Sequence, residues 1–111
     1  MTTNFSPAKN LKKLTRKGFA AWLVENQDNR DFSCRAQSNK FCPIATFLKE
    51  GEDFTTNDTN VSIYAIHFRC NSYKPPQWVR TFVYRLDGYF GNVKLTYNDI
   101  PYMLKILEET K

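Results

Sequence analysis

The chain has 111 residues, of which 41 % are apolar and 24 % charged, a composition that excludes wholesale disorder and leaves room for one hydrophobic core rather than two. Its 9 Phe, 6 Tyr and 2 Trp supply the bulk for that core. The net charge of +5 is localised: Lys9, Lys12, Lys13, Arg16 and Lys17 all precede Glu25, the first acid in the chain, and the remaining 11 basic and 11 acidic side chains cancel.

No apolar run reaches the roughly 18 residues that a membrane helix needs, and the stretch at 19–24 is shorter than a signal-peptide core. A cytoplasmic location without a membrane partner is therefore expected. Three cysteines, Cys34, Cys42 and Cys70, form an odd set without close spacing and read as reduced thiols. The sequons beginning at Asn57 and Asn60 then read as polar loop residues.

Residues 1–6 read as a loosely held tail, and the whole of 1–111 as one domain. From Pro7, with Ser6 as N-cap, Leu11, Leu14, Gly18, Ala21, Trp22 and Val24 recur at helical spacing, which predicts a helix over residues 7–25. Gly18 costs about 1 kcal/mol against Ala inside a helix, so it marks either a close contact or a restart with Thr15 as a new cap. After a polar loop, residues 32–35 fit a short edge strand. Cys42-Pro43 then opens a short helix ending at Gly51, with Ile44, Phe47 and Leu48 on its buried side.

Residues 52–60 read as an exposed loop. Residues 61–70 form the strongest strand pattern, rich in β-branched and aromatic side chains, and both faces turn apolar toward the middle, as in a central strand. Pro75-Pro76 precedes a helix carrying Trp78, Val79, Phe82, Val83, Leu86 and Phe90 at helical spacing, with Arg80 and Arg85 outside them and a stop at Asp87-Gly88. Residues 93–95 fit a short strand opposite the main one. A last helix has Asn98 as cap, Asp99 and Pro101 in its first turn, and Ile100, Met103, Leu104 and Leu107 on one face. The expected fold is α+β: a small, mostly antiparallel sheet of about three strands with about four helices packed on it.

The motifs exclude more chemistry than they suggest. His67 and Cys70, with Cys34 and Cys42, provide four zinc-type donors, but seven residues separate Cys34 from Cys42, and in a regular strand 67 and 70 point to opposite faces. No metal site is expected. Cys42 lies at the positive end of a helix dipole, yet the chain has no C-x-x-C and no C-x5-R loop, and His67 is its one histidine to serve as a base. Capping or packing is its expected job. Neither a phosphate-binding glycine loop nor a deaminase motif occurs, so no cofactor and no catalytic residue are assigned.

The charged segment is the most informative feature. On a helix, Lys9, Lys12, Lys13, Arg16 and Lys17 fall within an arc of roughly 140°, opposite Leu11, Leu14, Gly18 and Trp22. Such a face is either solvated or attracts phosphates through counterion release. A second candidate is the aromatic Pro-Pro segment of Tyr73, Lys74 and Trp78, within a wider set of aromatics near basic residues that includes Tyr64, Tyr84 and Tyr89. The leading expectation is a small non-catalytic binding protein, bacterial or phage in type, whose basic helix engages nucleic acid or another anionic surface. The alternative is an interaction module, an inhibitor or regulatory subunit, anchored by the aromatic segment while the charge steers its encounter with a partner such as an acidic protein surface. A homodimer is a further candidate.

Overall fold

The computed structural model describes residues 13–50, 59–68 and 71–110. The tail at 1–6, the turns expected over 7–12 with Lys9 and Lys12, Gly51, the acidic stretch at 52–58 and Cys70 lie outside the described residues. In chain order the elements are α1 (Arg16–Glu25), β1 (Ser33–Arg35), α2 (Pro43–Lys49), β2 (Asn60–Val61), β3 (Ile66–Phe68), β4 (Asn71–Tyr73), α3 (Gln77–Phe90), β5 (Lys94–Thr96), a 3-10 turn (Tyr97–Asp99) and α4 (Ile100–Glu108). This is the α+β fold expected, with four α-helices and two small antiparallel sheets among the described residues.

Helix α1 starts where a side chain can satisfy its first free N–H groups. Thr15 is extended, and its Oγ1 accepts the N–H of Gly18 at 2.9 Å. Both readings of Gly18 hold together, because a Cβ there would lie 2.6 Å from the backbone oxygen of Lys13, which already accepts the N–H of Thr15 at 2.8 Å. Gly18→Ala would gain about 1 kcal/mol in helix propensity. It would also displace the turn that holds the Thr15 cap, itself worth about 1 kcal/mol, on top of the steric cost. A net loss of about 1–2 kcal/mol is expected in urea denaturation, and a stabilised variant would contradict the turn described. At the other end Asn26 is buried and its Nδ2 donates to the Trp22 carbonyl at 2.8 Å, closing the helix.

Helix α2 begins as its sequence suggests, with Pro43 at its first position and the Cys42 Sγ accepting the Ala45 N–H at 3.4 Å. Five of its seven residues are buried. Helix α3 buries Val79, Phe82, Val83 and Leu86, the apolar stripe of its sequence. It does not stop at Asp87-Gly88. It continues to Phe90 and ends at Gly91, whose φ of 71° suits a residue without a Cβ and whose N–H donates to the Asp87 carbonyl at 3.1 Å.

The long strand expected over 61–70 is instead a hairpin. Ser62 Oγ accepts the N–H groups of Tyr64 and Ala65 at 3.1 and 3.2 Å, and the Ser62 N–H donates to the Ala65 carbonyl at 3.0 Å, so the chain folds back after Val61. Val61 then pairs with Ile66, and β4 completes a three-stranded sheet with Ile66 opposite Tyr73. Residue 59, expected in an exposed loop, is a fully buried Thr, and Asn60 begins β2.

Strand β5 pairs with β1 rather than with the hairpin, placing buried Cys34 opposite buried Leu95. The loop after β1 links the two sheets: Ala36 N–H donates to Val93 O at 3.1 Å, and Val61 N–H donates to Asn39 O at 2.8 Å. The last helix is led in by the 3-10 turn, which carries a capping box of its own. Thr96, not Asn98, receives the Asp99 backbone N–H, and the Asp99 carboxylate accepts the Thr96 N–H at 2.8 Å. Ile100, Met103, Ile106 and Leu107 of α4 are buried, and α4 packs against both α1 and α3.

Candidate functional site

Helix α1 and the turn that leads into its Thr15 cap carry Lys13, Arg16 and Lys17. Phe19, Trp22 and Leu23 face the core, while Lys13 and Lys17 are exposed and Arg16 is half-buried. Arg16, Lys17 and Ala20 form one wall of a groove of about 370 Å³ whose other wall is Leu104, Leu107 and Glu108 of α4. The flank of α1 is thus mixed in character, since Glu108 lines the same groove as two of the cations.

The aromatic Pro-Pro segment is held differently from a free loop. Tyr73 is half-buried in β4 and packs against the core, Pro75 is buried, and Trp78 lies with its ring centroid 5.8 Å from that of Phe19. Lys74 is exposed. The Trp78 ring therefore contributes to the aromatic cluster beneath α3, which limits what it can offer a partner.

Other aromatics are left open to solvent. Tyr64 is 84 % exposed at the tip of the β2–β3 turn and Tyr84 is 73 % exposed on α3. Both line a groove of about 750 Å³ together with Ile63, Gln77, Arg80 and Arg85. The Arg80 Nη2 donates to Gln77 Oε1 at 2.9 Å, which orients the guanidinium along the helix. A smaller groove of about 530 Å³ continues from it past Tyr84 and Arg85 to Asp87 and Gln37. The signal for this face was in the sequence, as polar and aromatic residues at 77, 80, 81, 84 and 85 on the side of α3 opposite its apolar stripe. What brings Tyr64 to it is the hairpin turn.

Asp87 is structural in the first instance. Its Oδ1 accepts the N–H of Gln37 at 2.8 Å, and its carbonyl accepts the Gln37 Nε2 at 3.0 Å, which ties the loop after β1 to α3. Gln37 adopts a left-handed φ of 56° there. Partial burial raises the Asp87 carboxyl above the usual range, and the Gln37 N–H offsets part of that rise.

The two described cysteines are both buried. Burial pushes the Cys42 thiol up to about 11, against the opposing pull of the Ala45 and Ile44 N–H groups at the start of α2. Cys34 is raised further, by burial first and then by proximity to Cys42 and Asp99. Among the described residues no three His, Cys, Asp or Glu side chains converge as metal ligands, and no helix is long and apolar enough to cross a membrane. No family model, curated protein or solved structure matches this chain.

Proposed function

We propose that this chain is a small non-catalytic binding protein whose first helix engages nucleic acid. The carrying observation is that α1 commits Phe19, Trp22 and Leu23 to the core and leaves Lys17 exposed beside Arg16, with Lys13 exposed in the turn just before the Thr15 cap, all within the segment that holds the excess charge. A phosphate backbone is the partner that such a helix suits best, because each neutralised phosphate releases a counterion. Lys9 and Lys12 extend the same charge in sequence. A non-catalytic role fits the use of Cys42 as a helix cap within the core. Buried thiols with raised pKa values also suit a reducing, cytoplasmic setting.

Binding to mixed-sequence DNA and RNA at low salt is the test. If all five cations contact phosphates of duplex DNA, the affinity falls about 500-fold between 50 and 200 mM salt, and reversal of Lys12, Lys13 and Arg16 to Glu abolishes duplex binding. Absence of binding at low salt, or a charge-reversed variant that binds as well as the parent, rejects the proposal. An acidic protein surface would meet the same cations, and the charge-reversed variant retaining a protein partner while losing nucleic acid would point to the aromatic segment instead. Light scattering decides between monomer and homodimer.

A further inference from the structure

We infer that the groove between α3 and the β2–β3 turn is a binding site for single-stranded nucleic acid, with Tyr64 and Tyr84 stacking on bases and Arg80 and Arg85 meeting phosphates. This site is on a different helix from the α1 cations and stands or falls apart from them. Three observations favour a single strand as its occupant. The two tyrosines keep most of their surface open to solvent at 84 % and 73 % exposure, which is what stacking of an unpaired base requires. Their placement is fixed before binding, since Ser62 holds the turn that carries Tyr64 and helix α3 carries Tyr84. This reduces the ordering cost of binding.

Charge is the third observation. Among the described residues, both ionic side chains lining the larger groove are arginines. Arg80 is oriented by Gln77, whose Nε2 also contacts Thr81 Oγ1 at 3.4 Å. Arg85 donates to Glu109 at 3.2 Å, with both side chains about half exposed, and such a surface pair yields readily to a phosphate. The acid of the adjoining groove, Asp87, accepts the Gln37 N–H. A protein partner would instead seek a deep apolar pocket for an anchor residue, and among the described residues Ile63 is the sole aliphatic side chain lining the larger groove.

Fluorescence anisotropy of labelled oligothymidine at low salt tests the site, with a labelled duplex and labelled polyglutamate as parallel ligands. The pair Tyr64→Ala and Tyr84→Ala should lower oligothymidine affinity roughly 30-fold or more, from the loss of two stacked bases. Duplex affinity should hardly change, and the pair Tyr64→Phe and Tyr84→Phe should keep the parental affinity for single strands. Circular dichroism checks that the variants fold. Unchanged oligothymidine binding by the alanine pair, or none by the parent protein, overturns the inference. So does tyrosine-dependent binding of polyglutamate without oligothymidine, which would make the occupant an acidic polypeptide. Lys13→Glu with Lys17→Glu serves as the separate probe of α1: lost duplex binding with the tyrosine dependence intact supports both sites. Unchanged duplex binding rejects the α1 reading and leaves the groove standing.

Discussion

Replacement of Phe19 by Ala should remove about 3–5 kcal/mol of stability. Phe19 is fully buried on α1, and its ring lies 5.6 Å from Trp22, 5.7 Å from Phe47, 5.8 Å from Trp78 and 5.3 Å from Phe82. Those partners belong to α1, α2 and α3, so one truncation opens a cavity where three helices meet. The loss combines the transfer free energy of the ring with the dispersion contacts of its neighbours, which a close-packed interior cannot recover by relaxing. Domains of this size are stable by about 5–15 kcal/mol, so the variant would be strongly lowered in melting temperature and, at the low end of that range, partly unfolded. Phe19→Leu, which keeps much of the volume, should lose clearly less. Urea titration of both variants gives the comparison. A loss below about 1 kcal/mol for Phe19→Ala would mean that the ring is not the centre of the core.

Native Cys34 and Cys42 should react with iodoacetamide slower than in the unfolded chain by on the order of a thousandfold or more, because modification must wait for the fold to open. Two effects act together. Both side chains are buried, and the raised pKa of each leaves almost no thiolate at neutral pH. Mass mapping of timed samples separates these two residues from Cys70. A Cys42 that reacts quickly in the native protein would contradict its capping position and the non-catalytic reading as well. The same burial makes stability depend on pH in a defined direction. A thiol whose pKa is raised on folding contributes stability that is fully present below its unfolded pKa, about 8.5. For Cys42 that contribution is lost as pH rises through about 11. Cys34 acts with the same sign, so alkaline unfolding should become easier above the ordinary thiol range.

How much of this molecule could be read from its residues depends on the distance over which each feature is decided. Caps and helix starts are local, since a side chain at one position answers an N–H group two or three residues later. Thr15 before α1 and Cys42-Pro43 before α2 were legible for that reason, as was the apolar stripe of α3. The uneven charge is a property of the sequence itself, and the α+β class followed from the alternation of helical and extended patterns.

Strand pairing and the fate of individual aromatics are decided elsewhere. Residues 61–70 have the composition of one long strand, yet a serine hydroxyl that captures two backbone N–H groups turns them into a hairpin. Strand β5 matches several partners in pattern, and the fold pairs it with β1, where Leu95 meets Cys34 in the core. Asp87-Gly88 looks like a helix stop, but Asp87 is held within α3 while it binds a loop fifty positions earlier in the chain. Trp78 and Tyr84 both lie on α3, and composition alone does not distinguish them. The packing of Phe19 draws Trp78 toward the core, whereas Tyr84 stays 73 % exposed. Local hydrogen-bond chemistry thus set the elements, and the competition among apolar side chains for one small interior decided which aromatics were left exposed.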